Sequence, residues 1–323
     1  MSGRIVVTGG AGFIGSNLIR ALNRRGETDI LVVDELARDG KWANLRGLDY
    51  ADYLDKDEFR FAVRHDALGE IDTVFHLGAC SSTTEQNASF LADNNYRYSL
   101  ELCEWCLTRG TRFIYASSAA TYGNGEHGYG DDPAGLKALR PLNPYGYSKH
   151  MFDLIALRRG WLDDGIAGLK YFNVYGPGEA HKGDMRSMIH KAWGQIRETG
   201  RVRLFRSHRP DYRDGEQLRD FLWVGDAVAA TLFFHDHRGV HGVYNCGAGR
   251  ARTWNDLARA VFAALGREPQ IDYIDMPEDI RAAYQYRTEA DLTRLRRAGY
   301  DAEFTSLEDG VRTYVQEHLE KGD

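Results

Sequence analysis

The sequence predicts an α/β fold in which helices cover both faces of a parallel sheet and a smaller α/β lobe stands beside it. Two observations lead to this prediction. Over residues 1–176, short apolar runs alternate with segments of helical periodicity, which is typical of parallel βαβ units. After Gly176 the alternation stops. This break indicates a second lobe at the carboxyl edge of the sheet, where open α/β sheets bind ligands.

The individual elements follow from periodicity and from helix-end signals. The predicted strands of the first region span residues 5–9, 30–34, 73–79, 113–118 and 168–176. The predicted helices span 13–25, 94–109, 147–162, 185–199, 255–266 and 306–321. A polar, charged insert covers 206–220, and the stretches 221–234 and 243–247 are expected to return to the sheet.

Composition limits the possible functions. The chain has 323 residues and a formal net charge of −6, so no global basic field recruits nucleic acid. It has no apolar run of about 18 residues or more, and its first residues lead directly into a strand and a turn. We therefore expect a cytoplasmic protein without membrane association. Cys103 and Cys106 form a CxxC with helical periodicity, which favours core packing over redox chemistry or a metal site.

A glycine-rich turn follows the first predicted strand. Residues 8–15 read TGGAGFIG, with Gly9, Gly12 and Gly15 spaced as GxxGxxG before a helix. Glycines let the backbone turn sharply and approach a pyrophosphate, which the free N–H groups of a helix N-terminus can bind. Asp34 ends the next strand, where it can accept hydrogen bonds from ribose hydroxyls. These features predict dinucleotide binding.

The predicted architecture is thus a Rossmann-like doubly wound parallel sheet with a smaller α/β substrate-binding lobe. The dinucleotide-binding domain is expected to comprise residues 1–176 with about 220–250, and the lobe about 177–219 with 251–323.

The residues near Asp34 leave the choice between NAD and NADP open. Glu35 would repel a 2′-phosphate, whereas Arg38, Lys41 and Lys56 could attract one if their loops fold over the adenosine ribose. The same basic residues could equally be solvated on the surface.

A second motif supplies catalytic side chains. NPYGYSKH places Tyr145 four residues before Lys149, so the two share one face of a helix. A free tyrosine has a pKa of about 10, and a neighbouring ammonium group lowers it. Ser117 and Ser118 end the preceding strand, about thirty residues earlier, and one of these hydroxyls could hold the substrate oxygen beside Tyr145. This arrangement predicts an acid/base site.

The motifs TGGAGFIG, ASSAATYG, YGYSK and YFNVYGPG together resemble the extended short-chain dehydrogenase/reductase family of nucleotide-sugar enzymes. LGACSSTTE, DNNYRYS, YFNVYGPGEAHKGDM and AAYQYRTEADL are similar to the ADP-glycero-manno-heptose 6-epimerases within that family. The resemblance runs nearly end to end, and its longest departure is the insert around 207–218. It implies an isomerase that interconverts ADP-D-glycero- and ADP-L-glycero-β-D-manno-heptose at C6, for the inner core of lipopolysaccharide. It also implies tightly bound NADP, with NAD possible, and a homo-oligomer, commonly a pentamer.

The resemblance also implies roles for individual residues. Tyr145 and Lys182 match the two catalytic residues, Lys149 is the cofactor-binding lysine, and Ser118 assists at the reacting hydroxyl. The implied cofactor contacts are Gly9, Gly12, Phe13, Ile14, Gly15, Asp34, Glu35, Lys41, Lys56, Leu77, Gly78, Ala79, Cys80, Ser81, Asn94, Lys149, Val174 and Lys182. The implied substrate contacts are Ser118, Asn173, Phe205, Ser207, Arg219 and Tyr284.

Lys182 has a chemical reason to be catalytic. Inversion of C6 through a ketone requires the ketone to turn its other face to the cofactor, and this rotation moves the oxygen across the site. One tyrosine cannot reach the oxygen in both positions, because a general acid must lie within hydrogen-bond distance. Lys182 could act at the second position, and His181 is a rival for this role.

Three other functions compete with this interpretation. A UDP-hexose 4-epimerase would use the same cofactor and YxxxK but can act with one tyrosine, so Lys182 counts against it. A 4,6-dehydratase needs an acid/base pair after the strand-end hydroxyl, where this chain has Ala119 and Ala120. A non-catalytic dinucleotide sensor would be expected to have lost Tyr145 or Lys149, and both are present.

Overall fold

A seven-stranded parallel sheet forms the centre of the fold in the computed structural model, which describes residues 3–281 and 284–322. Within these residues the strands are Arg4–Thr8 (β1), Ile30–Asp34 (β2), Asp52–Asp55 (β3), Ile71–His76 (β4), Arg112–Ser118 (β5), Ile166–Tyr171 (β6), Asn173–Tyr175 (β7), Val202–Phe205 (β8), Leu218–Trp223 (β9), Gly242–Cys246 (β10), Ala251–Thr253 (β11) and Ile271–Ile274 (β12). The central sheet has the order β10-β6-β5-β4-β1-β2-β3, so the strand order reverses between β1 and β4. Open α/β sheets bind ligands at such a reversal.

Helices cover both faces of this sheet. Their bounds are Phe13–Arg24 (α1), Lys56–Arg64 (α2), Ala88–Leu91 (α3), Tyr98–Arg109 (α4), Pro144–Arg158 (α5), Met188–Thr199 (α6), Val224–Asp236 (α7), Trp254–Ala264 (α8), Glu278–Arg281 (α9), Thr293–Arg297 (α10) and Leu307–Thr313 (α11). One buried apolar cluster joins α1 and α7 to the sheet, and another joins α2, α4 and α5 to it. The central strands are mostly apolar because both of their faces are buried.

Two small sheets build the lobe beside the central sheet. Strand β9 pairs in parallel with β7 and antiparallel with β11, while β8 pairs in parallel with β12. Helices α6, α8 and α11 pack with these strands around a separate buried cluster that includes Phe221, Leu257 and Val311. Strand β10 returns to the central sheet beside β6, as predicted for residues 243–247. The return predicted for residues 221–234 is wrong for their strand part, because β9 belongs to the lobe.

The structure corrects several predicted boundaries. The run at 168–176 was predicted as one strand, but the chain leaves the central sheet at Phe172 and β7 joins a different sheet. The helix predicted at 147–162 begins at Pro144, because Asn143 caps it by accepting a 2.8 Å hydrogen bond from the Gly146 N–H. The helix predicted at 185–199 begins at Met188. The polar strand β3 and helix α2 were not predicted.

The cysteines, the absence of a predicted membrane span and the AAYQYRTEADL motif can also be compared with the structure. Cys103 and Cys106 are fully buried in α4, and burial raises the pKa of the Cys106 thiol well above its usual range. Within residues 3–281 and 284–322, no helix is long and apolar enough to cross a membrane. Ala282 and Ala283 of the AAYQYRTEADL motif lie outside the described residues.

Candidate active site

A cavity of about 750 Å³ lies at the carboxyl edge of the central sheet, between the sheet and the lobe. It brings together most of the residues singled out in the sequence. Those that line it are Gly9, Gly12, Phe13, Ile14, Gly15, Asp34, Lys41, Leu77, Gly78, Ala79, Cys80, Ser81, Ser118, Tyr145, Lys149, Asn173, Val174 and Lys182. Glu35, Lys56, Asn94, Phe205, Ser207, Arg219 and Tyr284 are absent from this lining.

The glycine-rich turn forms one end of the cavity. A Cβ atom on Gly15 would lie 2.1 Å from the carbonyl oxygen of Gly9, so the first turn of α1 packs against the turn more closely than any side chain permits. Gly12 caps α1 without a side-chain hydrogen bond, which leaves the N-terminal N–H groups of the helix available. Such a helix end is an anion site suited to a pyrophosphate.

The acidic residue after β2 is buried and already charge-paired. Asp34 accepts hydrogen bonds from the N–H groups of Ala11 and Glu35, and its Oδ1 lies 2.9 Å from Lys41 Nζ. Beside this pair, Lys56 Nζ forms an ion pair with Glu35 and lies 3.4 Å from Asn94 Oδ1. The hydrogen bond from Lys56 lowers the pKa of Glu35. Both lysines that could receive a 2′-phosphate therefore contact a carboxylate.

The start of helix α5 packs directly against the end of β5. A Cβ on Gly146 would lie 2.7 Å from the Ala120 carbonyl oxygen, so only a glycine allows this approach. The approach places Tyr145 beside Ser118. Burial raises the pKa of Tyr145, and hydrogen bonding with Ser118 lowers it. Lys149 is buried, donates a 2.8 Å hydrogen bond to the Ala116 carbonyl oxygen, and has its pKa lowered by burial to about 8.

A buried amide, which the sequence analysis missed, ties the cofactor side of the cavity to this helix. Asn95 accepts a 2.9 Å hydrogen bond from the Cys80 N–H and donates one to the Cys80 carbonyl oxygen. Its Nδ2 also donates to Ser148 Oγ at 3.0 Å, and Ser148 donates to the Tyr145 carbonyl oxygen. Asn95 lies in a π-helical turn, Ala92–Arg97, and such turns are frequent at functional sites.

Lys182 enters the cavity from the segment after β7. It is half-buried, its Nζ lies 5.5 Å from the centre of the Phe13 ring, and it forms no ion pair with any described residue. Burial lowers the pKa of Lys182, and the charge of Glu179 opposes this effect. His181 also lines the cavity, but its Nδ1 lies 3.3 Å from Asn44 Nδ2, and burial lowers its pKa. This contact gives His181 a role in holding the loop.

A buried cation lies next to Trp254, at the far end of the cavity but outside its lining. The Arg219 guanidinium carbon lies 5.5 Å from the centre of the Trp254 ring and 5.0 Å from that of the Tyr284 ring, and Trp254 lines the cavity. Arg219 is 7% exposed and forms no ion pair with any carboxylate of the described chain. Phe205 ends β8, and Ser207 begins the insert, where its N–H donates to Asp214.

Trp254 and Glu179 are the other residues that the sequence analysis missed. Trp254 follows the capping residue Thr253 at the start of α8. It was missed because the sequence at this position is that of an ordinary helix N-terminus. Glu179 is fully buried although it lies in a polar loop, and only its position just after the Gly-Pro-Gly turn could have drawn attention to it.

Comparison with known proteins agrees with this arrangement. Residues 5–247 match the model of the NAD dependent epimerase/dehydratase family. The chain belongs to this family. Its cofactor is therefore a nicotinamide dinucleotide, which confirms the coarser part of the cofactor prediction.

Within this family, the chain is similar in sequence and in structure to several individual proteins. It is 56% identical over 319 residues, 98% of each chain, to the ADP-L-glycero-D-manno-heptose-6-epimerase of Nitratidesulfovibrio vulgaris. Among solved structures it is similar to the ADP-L-glycero-D-manno-heptose-6-epimerase of Helicobacter pylori, with a TM-score of 0.81, 28% identity and coverage of 98% and 96% of the two chains. It is also similar to a Thermus thermophilus UDP-glucose 4-epimerase in complex with NAD, with a TM-score of 0.77, 26% identity and coverage of 99% and 100%. The predicted fold and the predicted family are confirmed.

Proposed function

We propose that the chain epimerises ADP-D-glycero-β-D-manno-heptose to ADP-L-glycero-β-D-manno-heptose at C6. The observation that carries this proposal is that two acid/base side chains, Tyr145 and Lys182, line one cavity and come from separate elements. The heptose specificity rests on the 56% identity to the N. vulgaris enzyme.

The cavity fits a nicotinamide dinucleotide. The crowded turn at Gly15 and the open N-terminus of α1 suit the pyrophosphate, and Asp34 suits the adenosine ribose. Lys149 lies where it can hold the nicotinamide ribose. A bound oxidised nicotinamide would supply a hydride acceptor for C6 and, once reduced, a hydride donor for the opposite face of the same carbon.

Tyr145 serves one position of the C6 oxygen. The hydrogen bond with Ser118 favours the phenolate over the phenol and opposes the effect of burial. A protonated Lys149, one helical turn away, would act in the same direction as Ser118. The phenolate takes the hydroxyl proton as the C–O group becomes a carbonyl. When the ketone has turned, its oxygen is out of reach of Tyr145 and needs a second proton donor.

Lys182 supplies that donor. Its pKa is lowered by burial, and the absence of an ion pair with the described residues leaves its ammonium free to approach the substrate. A lysine with a lowered pKa gives up its proton more readily than an ordinary lysine, which suits it to acid/base catalysis.

Proton NMR of C6 tests the proposal. Purified protein is incubated with ADP-D-glycero-β-D-manno-heptose, without added cofactor, in ordinary and in deuterated water. We expect conversion to the L-glycero epimer with no solvent deuterium at C6, because the hydride returns directly. Lys182→Met should lower the rate by about 10²-fold or more, the usual range for a general acid. Lys191→Met, in helix α6 outside the cavity lining, is the matched control and should keep the wild-type rate.

Two results would contradict the proposal. Turnover of UDP-hexoses in place of the heptose would favour the UDP-hexose 4-epimerase alternative. A full rate in the Lys182→Met variant would remove the second acid/base from the mechanism.

We further propose that NAD is the preferred cofactor, although the sequence resemblance implies NADP. Lys41 is paired with Asp34 and Lys56 with Glu35, so a 2′-phosphate would meet two carboxylates and no unpaired lysine among these four residues. Cofactor released from the denatured protein should be NAD. Glu35→Asn frees Lys56 and should tighten NADP binding by about tenfold, or 1.4 kcal/mol. NADP as the main released cofactor would contradict this.

Arg219 is proposed to bind the diphosphate of the substrate. A buried guanidinium without a carboxylate partner among the described residues is stabilised when an anion binds it. Contacts with the rings of Trp254 and Tyr284 restrict its movement, which favours bidentate recognition of phosphate oxygens.

We also propose that the chain forms a homo-oligomer. Phe90 on α3 is 40% exposed and Tyr147 on α5 is 55% exposed, and these helices pack against each other. Light scattering should give a mass above one chain, and the Phe90→Ser, Tyr147→Ser double variant should reduce it. An unchanged mass would place the interface elsewhere, and a single-chain mass for the wild type would contradict the proposal.

A further inference from the structure

A buried carboxylate joins the two ends of the segment that carries Lys182. Glu179 is fully buried. Its Oε1 accepts hydrogen bonds from the Gly176 N–H at 3.4 Å and from Ser187 Oγ at 2.6 Å, and its Oε2 accepts one from the Ser187 N–H. Gly176 and Ser187 mark the start and the end of the loop, so one side chain closes it.

The same residue positions Lys182 through the backbone. The Glu179 carbonyl oxygen accepts a 3.0 Å hydrogen bond from the Lys182 N–H, within the 3-10 turn Ala180–Met185. The outer side of the loop is tied to the cofactor end of the cavity. Asn17 donates to the Pro177 carbonyl oxygen at 2.8 Å, and Asn44 donates to the Gly178 carbonyl oxygen at 3.0 Å.

We propose that Glu179 is a positioning residue for Lys182: its carboxylate closes the 176–187 loop, and its negative charge acts on the Lys182 ammonium. The inference rests on the proposed function for its catalytic consequence. A carboxylate buried without a full ion pair costs stability. Here its charge acts on the neighbouring Lys182. The carboxylate keeps Lys182 from losing its proton too readily in a buried setting.

Other charged and titratable groups surround the loop. Those within it, beside it and across the cavity are His181, Asp184, Arg186, Asp39, Lys41, Cys80, Tyr145 and Lys149. Glu179 is the group that opposes the effect of burial on the pKa of Lys182, while burial is the main reason that the pKa of Glu179 itself is raised.

Glu179→Gln tests the role of the charge, because it keeps the size of the side chain. The pKa of Lys182 is measured by NMR of cofactor-loaded protein with ¹³C-labelled lysine, and the resonance is assigned with Lys182→Arg. We expect a lower pKa for Lys182 and a loss of about tenfold or more in kcat, with KM changed much less.

Asp226→Asn is the matched control. Asp226 is half-buried outside the cavity lining, and its carboxylate accepts hydrogen bonds from both the N–H and the hydroxyl of Thr305, as Glu179 does from Ser187. It should lose stability without a change in the pKa of Lys182. An unchanged pKa for Lys182 in Glu179→Gln, or a loss of kcat no larger than in Asp226→Asn, would overturn the inference.

A second variant tests the role of Glu179 if Glu179→Gln does not fold. Ser187→Ala removes one hydrogen bond to Glu179 but leaves the charge, and should lower kcat while the pKa of Lys182 stays near the wild-type value. Ser306→Ala, which removes the N-cap of α11, controls for the lost cap of α6. Wild-type kcat in Ser187→Ala would refute the inference. The NMR measurement needs no turnover, so a wild-type protein inactive on the heptose would refute the proposed function and leave the effect of Glu179 on Lys182 to be decided separately.

Discussion

Replacing Gly146 by alanine should separate catalysis from stability. The added Cβ would lie 2.7 Å from the Ala120 carbonyl oxygen, and an ordinary contact begins at 3.4 Å, so helix α5 or the segment after Ser118 must shift by about 0.7 Å. Overpacking of this kind costs about 1–3 kcal/mol, but alanine is the better helix former by about 1 kcal/mol. The free energy of unfolding should therefore fall by only about 0–2 kcal/mol.

The catalytic effect of the same change should be larger. The shift moves Tyr145 relative to Ser118, and a displacement near 1 Å can cost about 10²-fold in rate. We expect kcat to fall by roughly 10- to 100-fold, measured by C6 proton NMR beside urea unfolding. Gly194→Ala is the control, because Gly194 lies in helix α6 with no heavy atom within 4 Å of the added Cβ. It should be neutral or stabilising, with full activity. Wild-type kcat in Gly146→Ala would refute the reasoning, as would an equal loss of activity in the control.

Three further predictions concern the cofactor end, the buried lysine and the buried arginine. Gly15→Ala should abolish cofactor retention, because its Cβ would lie 2.1 Å from a backbone oxygen; absorbance of cofactor in the purified variant would contradict this. Burial lowers the pKa of Lys149 in the folded state to about 8, below its usual value of 10.5. Between these two pH values the unfolded state binds more protons, so the free energy of unfolding rises with pH. In cofactor-free protein, Lys149→Met should be more stable than the wild type, because it removes a buried lysine. This difference in the free energy of unfolding should shrink by up to about 3 kcal/mol between pH 8 and 10.5. A difference that stays constant would refute the lowered pKa of Lys149. Arg219→Met should weaken ADP binding by about 10- to 100-fold in calorimetry, and Arg219→Lys should not restore it, whereas the exposed Arg259→Met should bind normally.

The dinucleotide end of the molecule could be predicted from sequence because its signals are local. The turn at Gly9, the helix that follows it and Asp34 lie within one βαβ unit, and each has a direct physical reason. What could not be predicted is the pairing of Lys41 with Asp34 and of Lys56 with Glu35. These pairs depend on a 3-10 turn and on strand β3, which is polar and carries no strand periodicity.

The lobe was harder to predict because its key contacts join distant parts of the chain. The burial of Arg219 requires β9 to pair with β11 and requires Tyr284 to reach it from the C-terminal region. Neither pairing has a periodic signature, since β11 has three residues and Tyr284 lies in an irregular segment. From the sequence alone, Arg219 would therefore be predicted to lie at the edge of a sheet. Only the packed structure identifies it as a buried cation.

The strand predicted at 168–176 lies at the centre of the proposed mechanism, and its prediction was wrong in kind. A continuous strand over 168–176 would have kept Asn173 and Val174 in the central sheet. The chain instead leaves that sheet after Tyr171, and β7 pairs with β9 of the lobe. This departure carries the following loop, with Glu179 and Lys182, over the cavity. The local apolar pattern could not reveal this departure, because the residues of β6 and β7 form one continuous, mostly apolar stretch of the sequence. A place where local pattern and final structure disagree is where a functional constraint is expected, and here it coincides with the second acid/base.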